Sequence, residues 1–227
     1  MSIQEMREAV DMMSDSRLGA FSFTVSNNDY ADLVSAGQFA STDQARPILN
    51  GVLFEIRGEM VRAVATDSYR LCVIERGLDT DSPYCGESAL IPASLLSDAL
   101  KGFTKSAGTK AHYAVTVRVS REMVSISASH PDTPTVYSGR VIEGTYPAYE
   151  TLIPAREGIK ECPAPVAFNP RFLASLVKVA PWCNDSKGSV PARLESLNDQ
   201  NRPFTIVGVC PRTRNETVCL FMPVRIA

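Results

Sequence analysis

Asp67, held in Thr66-Asp67-Ser68 between two apolar runs, is the first residue whose type and setting could do chemistry. A carboxylate there can serve as a general base only with a nucleophile, a histidine or a second acid at working distance. The chain has two histidines, His112 and His130, each near turn residues and neither with an acid at an obvious spacing. Asp67 therefore reads as a turn former, and the histidines read as surface residues. Cysteines at 72, 85, 162, 183, 210 and 219 contain no Cys-x-x-Cys pair, so no metal site is expected and the thiols read as buried and reduced. No Gly-rich phosphate loop and no Ser/His/Asp or Cys/His arrangement stands out. Trp182, in Ala-Pro-Trp-Cys, is expected to pack rather than to stack on a base. Neither a catalytic residue nor a cofactor is expected.

Bulk properties narrow the classes further. With 227 residues, the chain can bury a real core in one large or two small domains. Its composition, 44% hydrophobic and 21% charged, is that of an ordinary globular protein. No apolar run approaches the roughly 20 residues that span a bilayer. Residues 1–17 are acidic and Met-rich without a continuous apolar stretch, unlike a signal peptide. A cytoplasmic location is therefore expected. A net charge of −2 argues against a simple basic nucleic-acid binder but leaves room for a local basic surface.

The elements that must position any site come in a repeated order. Val52–Ile56 and Val61–Ala65 flank the turn Arg57-Gly58-Glu59, and a third run starts at Leu71, which makes a β-meander. An apolar strand leads into a helix three times: Phe21–Val25 into Ser26-Asn27-Asn28-Asp29, Ala89–Ile91 into Pro92-Ala-Ser, and Val166–Phe168 into Asn169-Pro170. Ser26 and Asn169 are good N-caps, and Pro92 and Pro170 suit a first helical turn. Tyr30, Leu33, Val34, Gly37 and Phe39 mark the first helix; Leu95, Leu96, Leu100 and Phe103 the second; Phe172, Leu173, Leu176 and Val177 the third.

Three strands are expected after each helix. The first set is Val52–Ile56, Val61–Ala65 and Leu71–Glu75; the second is Ala114–Val119, Met123–Ala128 and Thr135–Val141; the third is Ala192–Leu197, Phe204–Val209 and Val218–Met222. The unit recurs at roughly 65–80 residues. Antiparallel sheets with helices on one face are an α+β architecture.

The spelling of these elements resembles the bacterial DNA polymerase sliding clamp family. Leu49-Asn-Gly-Val-Leu-Phe-Glu resembles its "LNG-LFE" strand, and Ala65-Thr-Asp-Ser-Tyr-Arg-Leu71 resembles its "ATDGHRL" turn, with Ser68 and Tyr69 replacing Gly and His. Gly144-Thr-Tyr-Pro-Ala-Tyr-Glu-Thr-Leu-Ile-Pro154 resembles the "G-FPDY--LIP" domain ending. Phe168-Asn-Pro-Arg-Phe-Leu resembles "FNP-YL", and Phe221-Met-Pro-Val-Arg-Ile-Ala resembles the "MPMRL" tail. The family's first domain and the first half of its third have no counterpart.

The resemblance implies a clamp fold of one and a half domains. A complete domain is expected at 21–153 (units 21–85 and 86–153), a linker at 154–165 and a half-domain at 166–227. Residues 1–20 hold a possible short amphipathic helix (Ile3, Met6, Val10, Met13) without a family counterpart. A lone half-domain leaves an unpaired sheet edge and an apolar helix face, so self-association is expected unless residues 1–20 cover them.

Clamps bind short peptides in an apolar cleft, and the matching positions are Leu49, Thr66, Ser68, Tyr69, Arg70, Leu71, Pro154, Phe172, Leu220, Phe221, Met222, Pro223, Val224 and Arg225. Apolar walls would take Leu and Phe anchors, and Arg70 and Arg225 would donate to the peptide. The bland alternative places Leu49, Leu71, Phe172 and Leu220 simply in the core. Clamp rings also turn helices toward DNA. Candidate phosphate contacts are Lys101, Lys105, Arg171 and Lys178, with Gln44 and Arg46 from a loop, while the first helix carries Asp29 and Asp32 and no lysine.

The implied function is a non-catalytic processivity factor in DNA replication that tethers a polymerase to double-stranded DNA without reading its sequence. An adaptor or competitor that keeps the cleft but not the ring is the rival reading, and the thin basic lining favours it.

Overall fold

Alternation of apolar and polar residues explains the first sheet of the computed structural model. β1 (Phe21–Ser26) buries Phe21, Phe23 and Val25 and turns Ser22, Thr24 and Ser26 outward. β6 (Ala114–Val119), β7 (Met123–Ala128) and β8 (Tyr137–Arg140) complete a four-stranded sheet in the order β1-β6-β7-β8. The structure describes residues 21–78, 85–108, 110–132, 135–153, 171–172, 174, 192–195, 203–209 and 216–222.

The second sheet is built from more continuous apolar runs, as strands covered on both faces require. These are β2 (Gly51–Arg57), β3 (Met60–Thr66) and β4 (Arg70–Gly77). With β5 (Ser88–Pro92), β9 (Ala192–Glu195), β10 (Phe204–Val209) and β11 (Glu216–Phe221) they form a seven-stranded sheet, ordered β5-β2-β3-β4-β11-β10-β9. Among the described residues every pairing is antiparallel.

Strands are exchanged between the two expected units. β1 opens the first unit yet pairs with β6 of the second, and β5 opens the second yet pairs with β2 of the first. Helices α1 (Asn27–Ser35) and α2 (Ala93–Ala107) follow those two strands and pack on each other, with the Tyr30 hydroxyl donating to the Leu96 carbonyl at 3.2 Å. Residues from both sheets and both helices share one apolar core. Ser26 caps α1 by accepting the Asp29 amide at 3.1 Å.

Several boundaries differ from the expectation. Gly37 and Phe39 lie in a 3-10 turn, Ala36–Phe39, that tightens the end of α1. Pro92 is still extended and serves as the N-cap of α2, one residue earlier than a first-turn proline. β8 keeps only Tyr137–Arg140 of the expected Thr135–Val141, and Met222 falls just beyond β11. Residues 1–20, 154–170, most of the third helix, Trp182, Cys162, Cys183, Cys210 and 223–227 lie outside the described residues.

A charged pair inside the core had no sequence signature. Arg76 of β4 and Asp32 of α1 are both out of water, and their Nη2 and Oδ2 atoms are 3.0 Å apart. Asp29 flanks the pair at 3.6 Å from Arg76 Nε. Asp32 is thus a core residue rather than part of a DNA-facing helix surface.

The edge that a half-domain was expected to leave open is closed on one side. β11 pairs with β4 over Thr217↔Ile74, Val218↔Val73, Cys219↔Cys72, Leu220↔Leu71 and Phe221↔Arg70, which makes the C-terminal strands an extension of the first unit's sheet.

Candidate functional site

The Thr66–Leu71 turn is built by its own side chains. Asp67 Oδ1 accepts the amides of Tyr69 and Arg70 at 3.0 and 3.1 Å, and Oδ2 accepts Arg70 Nε at 2.8 Å. Thr66 Oγ1 donates to the Arg70 carbonyl at 2.8 Å and accepts the Ser68 amide at 3.1 Å. Asp67 is a turn former, as its neighbours suggested. Ser68 has φ of 79°, the left-handed region that the family's glycine occupies without strain. Its hydroxyl accepts Arg46 Nη1 at 2.9 Å.

Register then carries this turn to the C-terminal strands. The Met222 amide donates to the Tyr69 carbonyl at 3.0 Å, just past the Leu220↔Leu71 and Phe221↔Arg70 pairs. Between turn and strand lies a shallow groove lined by Thr66, Ser68, Tyr69, Arg70, Leu71, Leu152, Pro203, Leu220 and Met222. Tyr69 is 60% exposed, Leu152 50% and Met222 38%, an unusual concentration of open apolar surface. Leu71 and Leu220 form the floor and belong to a small outer core with Leu53, Val64, Val73, Leu90 and Tyr149.

Leu152 reaches the rim because the 141–153 segment is pinned. The Ile142 amide donates to the Leu90 carbonyl at 2.8 Å, and Tyr149 bonds Glu55 and accepts Arg62 Nη1 at 3.2 Å. Burial, partly offset by Arg62, pushes the Tyr149 hydroxyl up to about 12. Gly51, in the Leu-Asn-Gly motif, admits this packing: a Cβ there would lie 2.8 Å from Ile142 Cδ1 and 2.9 Å from the Ile91 carbonyl.

The structure thus unites seven of the expected cleft residues: Thr66, Ser68, Tyr69, Arg70, Leu71, Leu220 and Met222. It separates three others. Phe221 points to the opposite face of the sheet, where it stacks against Phe172 at 6.2 Å and meets Phe39 at 6.1 Å. Phe172 sits on that inner face too, and Leu49 is buried without lining the groove. For Phe221 the cause is the two-residue period of a strand, which sends Leu220 and Phe221 to opposite sides.

Arg70 is also not the free donor that was expected. Its guanidinium lies over the Phe39 ring at 4.9 Å and within 5.8 Å of Phe172, and it pairs with Asp67. Leu152 and Pro203 were missed. The motif ending at Pro154 contained the signal for Leu152; Pro203 had none. Pro154, Pro223, Val224 and Arg225 lie outside the described residues.

The expected DNA set is only partly a surface. Lys101, Lys105, Gln44 and Arg171 are exposed, and Lys101 approaches Asp98 at 3.4 Å. Arg46 bonds Ser68 and Asp43, so it borders the groove rather than standing with the helix lysines. Lys178 lies outside the described residues. His112 is exposed, whereas His130 is half-buried edge-on to Tyr113, with Nδ1 3.8 Å from Asp132 Oδ2, so it has the acid neighbour that spacing did not reveal. Cys72 and Cys219 are buried as expected and Cys85 is exposed, against expectation.

A larger cleft of about 700 Å³ lies between β5, the β6–β7 turn and residues 141–151, where Glu55, Glu87, Glu143 and Glu150 outnumber Arg121. Its volume exceeds that of the groove, but the exposed apolar side chains Tyr69, Leu152 and Met222 line the groove and not this cleft. Among the described residues no group of three His, Cys, Asp or Glu could hold a metal ion, and no helix is long and apolar enough to cross a membrane.

Comparison with known proteins bears on the fold. Residues 24–148 match the family model of the DNA polymerase III beta subunit, central domain. A beta sliding clamp of Streptomyces coelicolor is 33% identical over 116 residues, covering 51% of this chain and 29% of that protein. The beta sliding clamp homolog GriR of Streptomyces muensis is 31% identical over 132 residues, covering 58% and 33%. The chain spans about a third of the length of these relatives. The sliding clamp of Bacillus subtilis superposes with a TM-score of 0.67 at 20% identity, over 91% of this chain and 64% of that one. The Thermotoga maritima beta subunit gives 0.67 at 18% identity, over 91% and 66%. With the family model matched over more than half of its residues and the sliding-clamp fold superposed over 91% of them, the chain belongs to the DNA polymerase III beta subunit family.

Proposed function

We propose that this chain is a non-catalytic, clamp-like DNA replication factor that docks a polymerase or another partner through a short peptide laid in the β4–β11 groove. The observation that carries this reading is the gathering of seven expected cleft positions from two distant stretches of the chain, with Leu71 and Leu220 as the apolar floor. Such a floor takes Leu or Phe anchors of an extended peptide, and Arg46, with its guanidinium held at the rim by Ser68, meets an acidic or carbonyl group.

A complete clamp domain at 21–153, in units 21–85 and 86–153, would be followed by a linker at 154–165 and a half-domain at 166–227. Encirclement of double-stranded DNA would be the work of a cytoplasmic homo-oligomer. Lys101, Lys105, Arg171 and Lys178 would meet phosphates.

The test is a fluorescent peptide of Gln-Leu-x-Leu-Phe pattern titrated with the full chain. A micromolar Kd is expected, about −7 to −8 kcal/mol, because ordering a free peptide offsets much of the apolar gain. No binding at roughly 1 mM, about −4 kcal/mol, overturns the reading.

A second reading, an adaptor that binds such peptides without a ring, is favoured by two observations: Arg46 leaves the basic set for the groove, and Lys101 faces Asp98. Retention on nicked circular DNA with loss on linearisation selects the tether; peptide binding without retention selects the adaptor.

A further inference from the structure

Cys72 and Cys219 face each other directly across the β4–β11 joint, with their Sγ atoms 3.5 Å apart and both side chains out of water. The same row of the sheet continues to Ala65 on one side and Ile206 on the other, so the two thiols are the polar groups of that row. One belongs to the first unit, the other to the C-terminal strands, 147 residues later. Directly opposed residues of antiparallel strands hold their Cβ atoms about 4.5–5.5 Å apart, which adjoins the range a disulfide spans.

We propose that Cys72 and Cys219 are an oxidisable pair, which a hydroperoxide converts to a disulfide that staples the C-terminal strands to the first unit's sheet. Burial raises the Cys219 thiol well above its usual range, so the closed joint holds thiols rather than reactive thiolates. Reaction starts when the end of β11 lifts from β4 and one thiol loses its proton to water. Its thiolate attacks a peroxide oxygen, the O–O bond breaks, and the departing oxygen takes up a proton as water or alcohol, which leaves a sulfenic acid. When the joint recloses, the second sulfur attacks the sulfenic sulfur. The S–O bond breaks, hydroxide leaves with the second thiol's proton as water, and the S–S bond closes. Two thiols and one hydroperoxide thus yield one disulfide, one water and one water or alcohol.

The position gives this bond its consequence. The next register pair is Leu71↔Leu220, the groove floor, and two residues beyond it Met222 bonds Tyr69. A staple at 72–219 therefore fixes the turn and the strand that wall the groove at one separation.

The experiment treats the full chain with hydrogen peroxide, then unfolds, alkylates, digests and mass-maps it. The expected result is a Cys72–Cys219 cross-linked peptide pair two hydrogens lighter than its parts, protected from alkylation and restored by dithiothreitol. Before unfolding, the Tm should rise by at least about 5 °C, because the bond closes a very long loop. Full alkylation of Cys72 and Cys219 while Cys85 is oxidised, or a Tm rise that persists in Cys72→Ala, overturns the proposal. Should Cys72→Ala fail to fold, the wild-type peptide map alone decides.

Discussion

Arg76 and Asp32 form an ion pair that is wholly shielded from water and ties α1 to β4. A buried charge without its partner is costly, whereas removing both partners with apolar groups of similar size is often neutral. Arg76→Met should therefore destabilise the protein by about 3–5 kcal/mol, and Arg76→Met with Asp32→Leu should recover most of that loss. Urea unfolding of the single and double variants measures both; an unrecovered double variant would show that the pair shapes the packing itself.

Ser68 opposes two effects at one position. A positive φ costs a non-glycine residue on the order of 1 kcal/mol, while its exposed hydroxyl bond to Arg46 returns about 0.5 kcal/mol. Ser68→Gly should raise stability by a few tenths of a kcal/mol and free the Arg46 side chain. A thermal melt checks the first effect. Peptide titration checks the second, with selectivity for acidic peptides expected to fall.

The groove's anchors should carry its affinity. Tyr69→Ala with Met222→Ala removes two exposed apolar walls and leaves the floor intact, since both side chains project outward. Peptide affinity should drop tenfold or more, if each change costs on the order of 1 kcal/mol, with Tm nearly unchanged. Phe221→Ala should behave in the opposite way, costing about 3 kcal/mol of stability through the inner face it fills.

Alkali should weaken the fold through buried tyrosines. The Tyr149 hydroxyl is raised from 10.0 to about 12, chiefly by burial, so the folded protein keeps a proton that the unfolded chain releases. Its contribution is complete below pH 10 and is lost as pH climbs from 10 toward 12. Tyr30 and Tyr146 shift in the same direction, also through burial. Tyr149→Phe should be less stable at pH 8, having lost its bonds to Glu55 and Arg62, yet show a shallower fall between pH 10 and 12 in denaturant titrations.

Much of the architecture was legible in the chain itself. Alternation set β1 and β6, caps set α1, and Asp67 marked its turn, because each is a local matter of sterics and hydrogen bonds within a few residues. The motifs around Leu49, Thr66, Gly144 and Phe221 brought the family into view, since they spell local geometry such as the close packing at Gly51. Tertiary structure alone decided the rest. It exchanged β1 and β5 between units, because a helix after each strand returns the chain to the other sheet. It sent Leu220 to the groove and Phe221 to the core, turned Arg70 onto Phe39, drew Arg46 to Ser68 and buried Asp32 against Arg76. Each of these depends on which strand lies beside which and in what register. That pairing is a relation between residues far apart in the chain, and no local pattern encodes it.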